Sequence, residues 1–232
     1  MGEKKRTYYL PIFYDILLTI GVPLNILFFA GVVLNRERVS GGAALVMYIL
    51  LAFLYWTAVV CMGVGNILLS FWKYRKGEDR YCVNAMLILK YGLVIFFIVN
   101  FLTLSMFGLA ALVASRGTII IMFPLVLPVV VFCVGVTWLI MLPGSFYGIQ
   151  VVRFTAAQGK FSGGRQSPVP PGPDGKVMLH GILQVIFLVD ILDAMYLAVM
   201  KWGMGKKSSV LVGALYAAFL AGILILVFMI VG

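Results

Sequence analysis

The sequence predicts an all-α polytopic membrane protein, a six-transmembrane-helix bundle with kinked helices and one short interfacial helix. Three observations carry this. Hydrophobic residues make up 63% of the 232 and charged residues 11%, against roughly a half and a quarter in soluble domains. Mean hydropathy is +1.09. Apolar runs of about 20 residues or more, the length needed to cross a bilayer core of about 30 Å, recur along the chain with polar punctuation between them. A mass of 25.5 kDa suits a single transmembrane domain over residues 1–232.

The first predicted span covers about residues 9–34. Lys4, Lys5 and Arg6 flank it, and Tyr8 and Tyr9 supply an interfacial aromatic belt. The apolar run contains Asp15 and has no small-residue cleavage site, so it reads as a retained helix and not a signal peptide. Arg6 stands where a myristoylation motif needs Ser or Thr. Gly21, Pro23 and Asn25 predict a kink, because proline lacks the N–H its turn uses and crowds the preceding turn.

Spans two and three are expected over about 43–72 and 83–114, separated by the charged loop KYRKGEDR. The second is longer than a bilayer core requires and must tilt or project. Lys90, early in the third, reads as a lysine that snorkels to the membrane edge. Its sharper alternative is an ion pair with Asp15, which lies at similar depth from the same side.

Span four, about 119–142, carries Pro124 and Pro128 on one face and predicts a bend. Pro143-Gly144 is expected to end it, leaving SFYGIQVVRF as the interfacial helix. Residues 155–176 are rich in Gly, Pro and Ser and predict a flexible cytoplasmic loop. Arg165, Pro168 and Pro171 fit an R-x-x-P-x-x-P ligand of SH3-type domains, a match that comes cheaply in so proline-rich a stretch.

The fifth span is expected over about 177–200, with the single His180 at its membrane edge, and the sixth over about 208–232. Gly213, Ala217 and Ala221 form one small-residue row on the sixth, and Ala214, Ala218 and Gly222 the next. Such rows let another helix approach closely, so a membrane-protein partner or a homo-oligomer through span six is expected.

Six spans place both termini on one side. The N-terminal basic residues, the loop 73–80 and the loop after span four then outnumber Arg36, Arg38, Arg116, Lys201, Lys206 and Lys207 on the other. The positive-inside rule makes both termini cytoplasmic. The lysines after span five fit this assignment worst. Cysteine usage and the lack of glycosylation or sorting signals lean towards a bacterial cytoplasmic membrane.

Asp190 and Asp193 are the costliest groups in the chain. A central aspartate costs roughly 2.5 to 3.5 kcal/mol on insertion scales. Three residues apart on one helix face, two carboxylates repel, so at least one is expected to be protonated or to share a cation. Asn25, Thr57, Asn100 and Thr137 lie at compatible depth and are the candidate lining of a substrate or ion site with them. The plain alternative is that the aspartates are interhelical hydrogen-bond glue, worth about 0.6 to 2 kcal/mol.

These features point to a small transporter or channel-like protein, proton- or cation-coupled through the midplane aspartates. The alternative is a non-catalytic membrane subunit, or an interaction, immunity or assembly protein of a larger complex. No catalytic signature of an intramembrane enzyme occurs in the sequence. The expected surroundings are the lipid bilayer and a proton or small cation, with no cofactor, no metal and no nucleic acid.

Overall fold

The computed structural model describes residues 7–35, 40–114, 123–161, 175–186 and 189–231. Among them there is helix and no strand. The elements are α1 Tyr9–Leu34, α2 Gly41–Arg75, α3 Asp79–Ala114, α4 Phe123–Ala157, α5 Gly175–Leu183, α6 Val189–Tyr196 continued by a π-helical turn Leu197–Lys201, and α7 Lys206–Val231. Among the described residues, four helices are long and apolar enough to cross a membrane, over Tyr9–Val32, Gly41–Arg75, Asp79–Asn100 and Gly135–Ala157.

Local signals set several helix ends. The Ser40 hydroxyl accepts from the Ala43 N–H at 3.2 Å and caps α2. At the other end Gly77 takes a φ of 69°, and its N–H and that of Glu78 return to the carbonyls of Tyr74 and Lys73. This left-handed stop is cheap only for glycine. Lys73 then pairs with Glu78 at 2.8 Å across the short turn into α3.

α1 to α4 pack as a ring, with α1 against α3 and α2, and α4 against α3 and α2. α1 and α3 run in the same direction: Tyr8 stacks on Tyr81, and further along Asp15 lies against Gly92. α2 and α4 run oppositely, since Tyr55 reaches the Leu17 carbonyl while Asn66 reaches that of Leu10. The core is densest around the first half of α3, where Cys82, Met86, Leu89 and Leu93 meet Met141, Tyr147 and Val151 of α4. The outer faces of α1 and α2 expose Ile16, Leu27, Phe53, Leu54 and Leu68.

Two expectations are corrected here. Pro143-Gly144 does not end α4, which continues to Ala157. Ser145, Tyr147, Gly148, Gln150, Val151 and Val152 are buried, so this stretch is a packed helix and not an interfacial one. Proline and glycine are tolerated inside membrane helices where neighbours compensate. Pro143 packs near Gly63 of α2, and Gly144 leaves room for the Lys90 stem. The expected loop 155–176 accordingly starts later. Residues 155–157 belong to α4 and 158–161 form its closing turn, while most of the remainder, with Arg165, Pro168 and Pro171, lies outside the described residues.

The second correction concerns residues 177–200, which do not form one continuous helix. α5 and α6 are antiparallel arms of a helical hairpin: His180 stacks on Tyr196 with ring centroids 5.5 Å apart and bonds Asp193 at 2.5 Å. In one continuous helix His180 and Asp193 would stand about 20 Å apart. α5 has 9 residues and α6 with its π turn 8 and 5, so the arms measure about 13 and 19 Å. Neither reaches across a core of about 30 Å. The second arm returns to the end of the bundle where α4 finishes, and there Trp202 Nε1 donates to Thr155 at 2.9 Å.

α7 then starts beside the lower part of α3 and follows it upward. Gly205 sits against Leu87, Ser209 bonds Tyr91, and Tyr216 packs with Val94 and Ile191. Gly203 and Gly205, at φ of 65° and 69°, make the sharp turn between the hairpin and α7.

Candidate functional site at the hairpin tip

Lys90 points inward from α3, midway along the candidate span Asp79–Asn100, and its side chain is fully buried. Its ammonium has three donors. They meet the carboxylate of Asp190 on α6, the Ser145 hydroxyl on α4 at 3.2 Å and the Gln184 carbonyl at the hairpin tip at 3.3 Å. One side chain thereby joins α3, α4 and both arms of the hairpin. Gly144 and the helical run of α4 make the channel for its stem.

Asp190 lies in the first turn of α6, where the free N–H groups of the helix start favour a carboxylate. Its Oδ2 takes the Lys90 pair, and its buried Oδ1 has no hydrogen-bond partner. Asp193, one turn on, has separate partners. His180 Nδ1 bonds its Oδ1 and Gln184 Nε2 donates to its Oδ2 at 2.6 Å. His180 is itself sandwiched between the rings of Phe161 and Tyr196.

The broken backbone at the tip is satisfied by the bundle. The Gln184 carbonyl receives Lys90, and the Val185 carbonyl receives Trp138 Nε1 at 3.2 Å. Non-helical backbone is tolerated at membrane depth only where protein or water satisfies it. Gly148 of α4 is what lets the Gln184 carboxamide approach, since a Cβ there would overlap it.

Two hydrogen-bonded pairs result, His180 with Asp193 and Lys90 with Asp190, and Gln184 touches both, its side-chain Nε2 on Asp193 and its backbone carbonyl on Lys90. His180 is 14% exposed, and the Lys90–Asp190 pair is 0% and 1% exposed. Two carboxyls, a buried lysine amine and an imidazole are groups that can hold or exchange a proton. At the mouth of the hairpin Lys160 lies over Trp202. Partial burial pulls its ammonium below the usual lysine range, while Asp79 nearby pulls it back up.

The expected Asp15–Lys90 pair is absent, and the reason is angular. Asp15 packs on Gly92, and residues 90 and 92 stand about 200° apart on a helix. The two groups do share a depth, but on opposite faces of α3. Nor does Lys90 snorkel, because its ammonium is consumed inside the bundle.

Of the other nominated residues, two turn back to their own helices. Asn25 and Asn100 donate to the carbonyls of Gly21 and Phe96 in their own helices. Thr57 is exposed on α2 and Thr137 half-buried on α4. No hydrogen bond joins Asn25, Thr57 or Asn100 to either aspartate among the described residues. Sequence reasoning missed Ser145, Gln184 and the role of His180. The available signal was density: His180, Gln184, Asp190 and Asp193 put more polar groups into one supposed span than a single lipid-facing helix holds.

No curated protein and no solved structure matches the chain. Residues 13–203 match one family model, and that stretch takes in α2, α3, α4 and the whole hairpin with its polar cluster. The chain belongs to a family of unknown function (DUF6652).

Proposed function

We propose that the protein is a small multi-pass membrane transporter or channel-like protein, coupled to a proton or small cation through the cluster at the hairpin tip. The observation that carries this reading is Lys90 buried against Asp190, with Ser145 and Gln184 completing its shell. A buried ion pair is weak as a stabilising device. Ionisable groups inside a membrane interior typically mark ion or substrate paths, and interrupted helices at depth typically carry transport sites. Pro23 in α1 and Pro124 and Pro128 in α4 give these helices places to yield during access.

In this reading α1, α2, α3, α4 and α7 cross the bilayer and the hairpin enters and leaves on one side. The N-terminus is cytoplasmic and the far end of α7 lies opposite, in place of the expectation of six crossings with both termini inside. Charge supports it. The hairpin moves Lys201, Lys206 and Lys207 to the end that carries Lys73, Arg75, Lys76, Arg80, Arg153 and Lys160, leaving Arg36, Arg38 and Arg116 to the segments at the other. The positive-inside rule is then followed closely.

The test is thermal stability in detergent across pH and a panel of cations, with proton-gradient dissipation in proteoliposomes, for the native chain and for Asp190→Asn with Asp193→Asn. A proton or cation bound by the folded state raises its stability by linkage. The expected result is a response of the native chain that the double variant lacks, with matching loss of flux. Identical responses and no flux in either would overturn the reading.

A second reading, a subunit or assembly partner, is supported by α7. Apart from half-buried Gly213, its small-residue rows Gly213, Ala217, Ala221 and Ala214, Ala218, Gly222 remain exposed, open to a helix of a partner or of a second copy. Co-purification of one defined membrane protein, lost on Ala218→Leu, would favour it.

A further inference from the structure

Asp15 sits on the far side of α3 from the hairpin, within the apolar stretch Tyr9–Val32 of α1. Its carboxyl lies directly on Gly92 of α3, in the space a Cβ would occupy. Its Oδ1 is buried and has no hydrogen-bond partner.

The titratable and charged groups bordering it are engaged elsewhere. From α3, Lys90 turns away to Asp190 and the Tyr91 hydroxyl bonds Ser209. From α2, Tyr55 donates to the Leu17 carbonyl at 3.3 Å. On α1 itself, Tyr14 donates to the Ile140 carbonyl at 3.0 Å. Asp15 is half-buried as a residue, but an anion there would set its buried Oδ1 against packed atoms with no cation and no donor, the arrangement in which a carboxyl takes up a proton instead.

We propose that Asp15 is a proton-binding site of its own, a neutral carboxylic acid seated on Gly92 that gives up its proton only when α1 separates from α3. It differs in kind from Asp190 and Asp193, each of which has a basic partner. It does not rest on the transport reading of the hairpin cluster. Loading and unloading Asp15 would set how closely α1 lies on α3, because the ionised form needs water that the Gly92 contact excludes.

An apolar carbodiimide, added to the protein in bilayers, tests this. The acid O–H adds across one C=N bond: the proton goes to nitrogen, the carboxyl oxygen bonds the central carbon, and the O-acylisourea rearranges to a stable N-acylurea with no atom lost. Peptide mass mapping should find the adduct on Asp15, decreasing as pH rises and absent in Asp15→Asn, with Asp190 and Asp193 unmodified. If the reagent does not reach Asp15, the infrared C=O stretch of protonated carboxyls decides. Loss of a band in Asp15→Asn supports the site. An unchanged spectrum, or an adduct on Asp190 in preference to Asp15, overturns it.

Discussion

Lys90 and Asp190, a hundred residues apart in sequence, form an ion pair from which water is excluded on both sides. Removing one partner strands the other charge, whereas removing both leaves two neutral groups. Lys90→Met should therefore destabilise the protein by about 3 to 5 kcal/mol. Lys90→Met with Asp190→Asn should lose clearly less than the sum of the two single variants. Reversible unfolding in mixed micelles, read as a double-mutant cycle, measures the coupling.

His180 contributes both a ring in the Phe161 and Tyr196 stack and a partner for Asp193. The two contributions separate by substitution. His180→Phe keeps the stack and strands a carboxylate oxygen, and should cost about 1 to 3 kcal/mol. His180→Ala loses both and should cost more. Adding Asp193→Asn to His180→Phe should recover part of the loss in the same unfolding assay.

Gly148 and Gly181 form a matched pair of glycine tests. A Cβ at Gly148 overlaps the Gln184 carboxamide, and one at Gly181 meets open space. Gly148→Ala should destabilise by about 1 to 3 kcal/mol through overpacking and disturb Asp193 through Gln184. Gly181→Ala should stabilise by about 0.5 to 1 kcal/mol through helix propensity alone. Thermal unfolding in one detergent compares them.

The hairpin has a direct topological readout. With Cys61, Cys82 and Cys133 replaced, Thr7→Cys and Lys206→Cys should react with a membrane-impermeant maleimide from the same side, and Asn35→Cys from the other. A continuous crossing through 177–200 would instead pair position 206 with position 35.

The helical membrane class and the long apolar helices α1, α2 and α3 were legible because length and hydropathy are written directly into composition. The hairpin was not. Its turn follows Leu183 through Val185 and Ile186, with neither Gly nor Pro to announce it, and hydropathy alone does not distinguish one crossing from two half-helices. At Pro143-Gly144 the signal misled in the other direction, since packing against α2 and α3 outweighs one lost backbone bond. Asp190 and Asp193 stood out by cost, but the partner of Asp190 is a hundred residues away, and those of Asp193 meet it only because the chain doubles back. Nothing local in the chain couples position 90 to 190, or fixes which face of α3 Lys90 takes.

The return of the hairpin also fixes an order of assembly. α5 and α6 carry His180, Gln184, Asp190 and Asp193 on arms too short to settle across lipid by themselves. The surface that receives them, Lys90, Ser145 and Gly148, belongs to α3 and α4, which leave the ribosome earlier. The hairpin should thus insert late, after α3 and α4 have formed the surface that receives it. A chain cut before Gly175 should still embed its first four helices, with an uncompensated lysine at their centre that quality control can recognise.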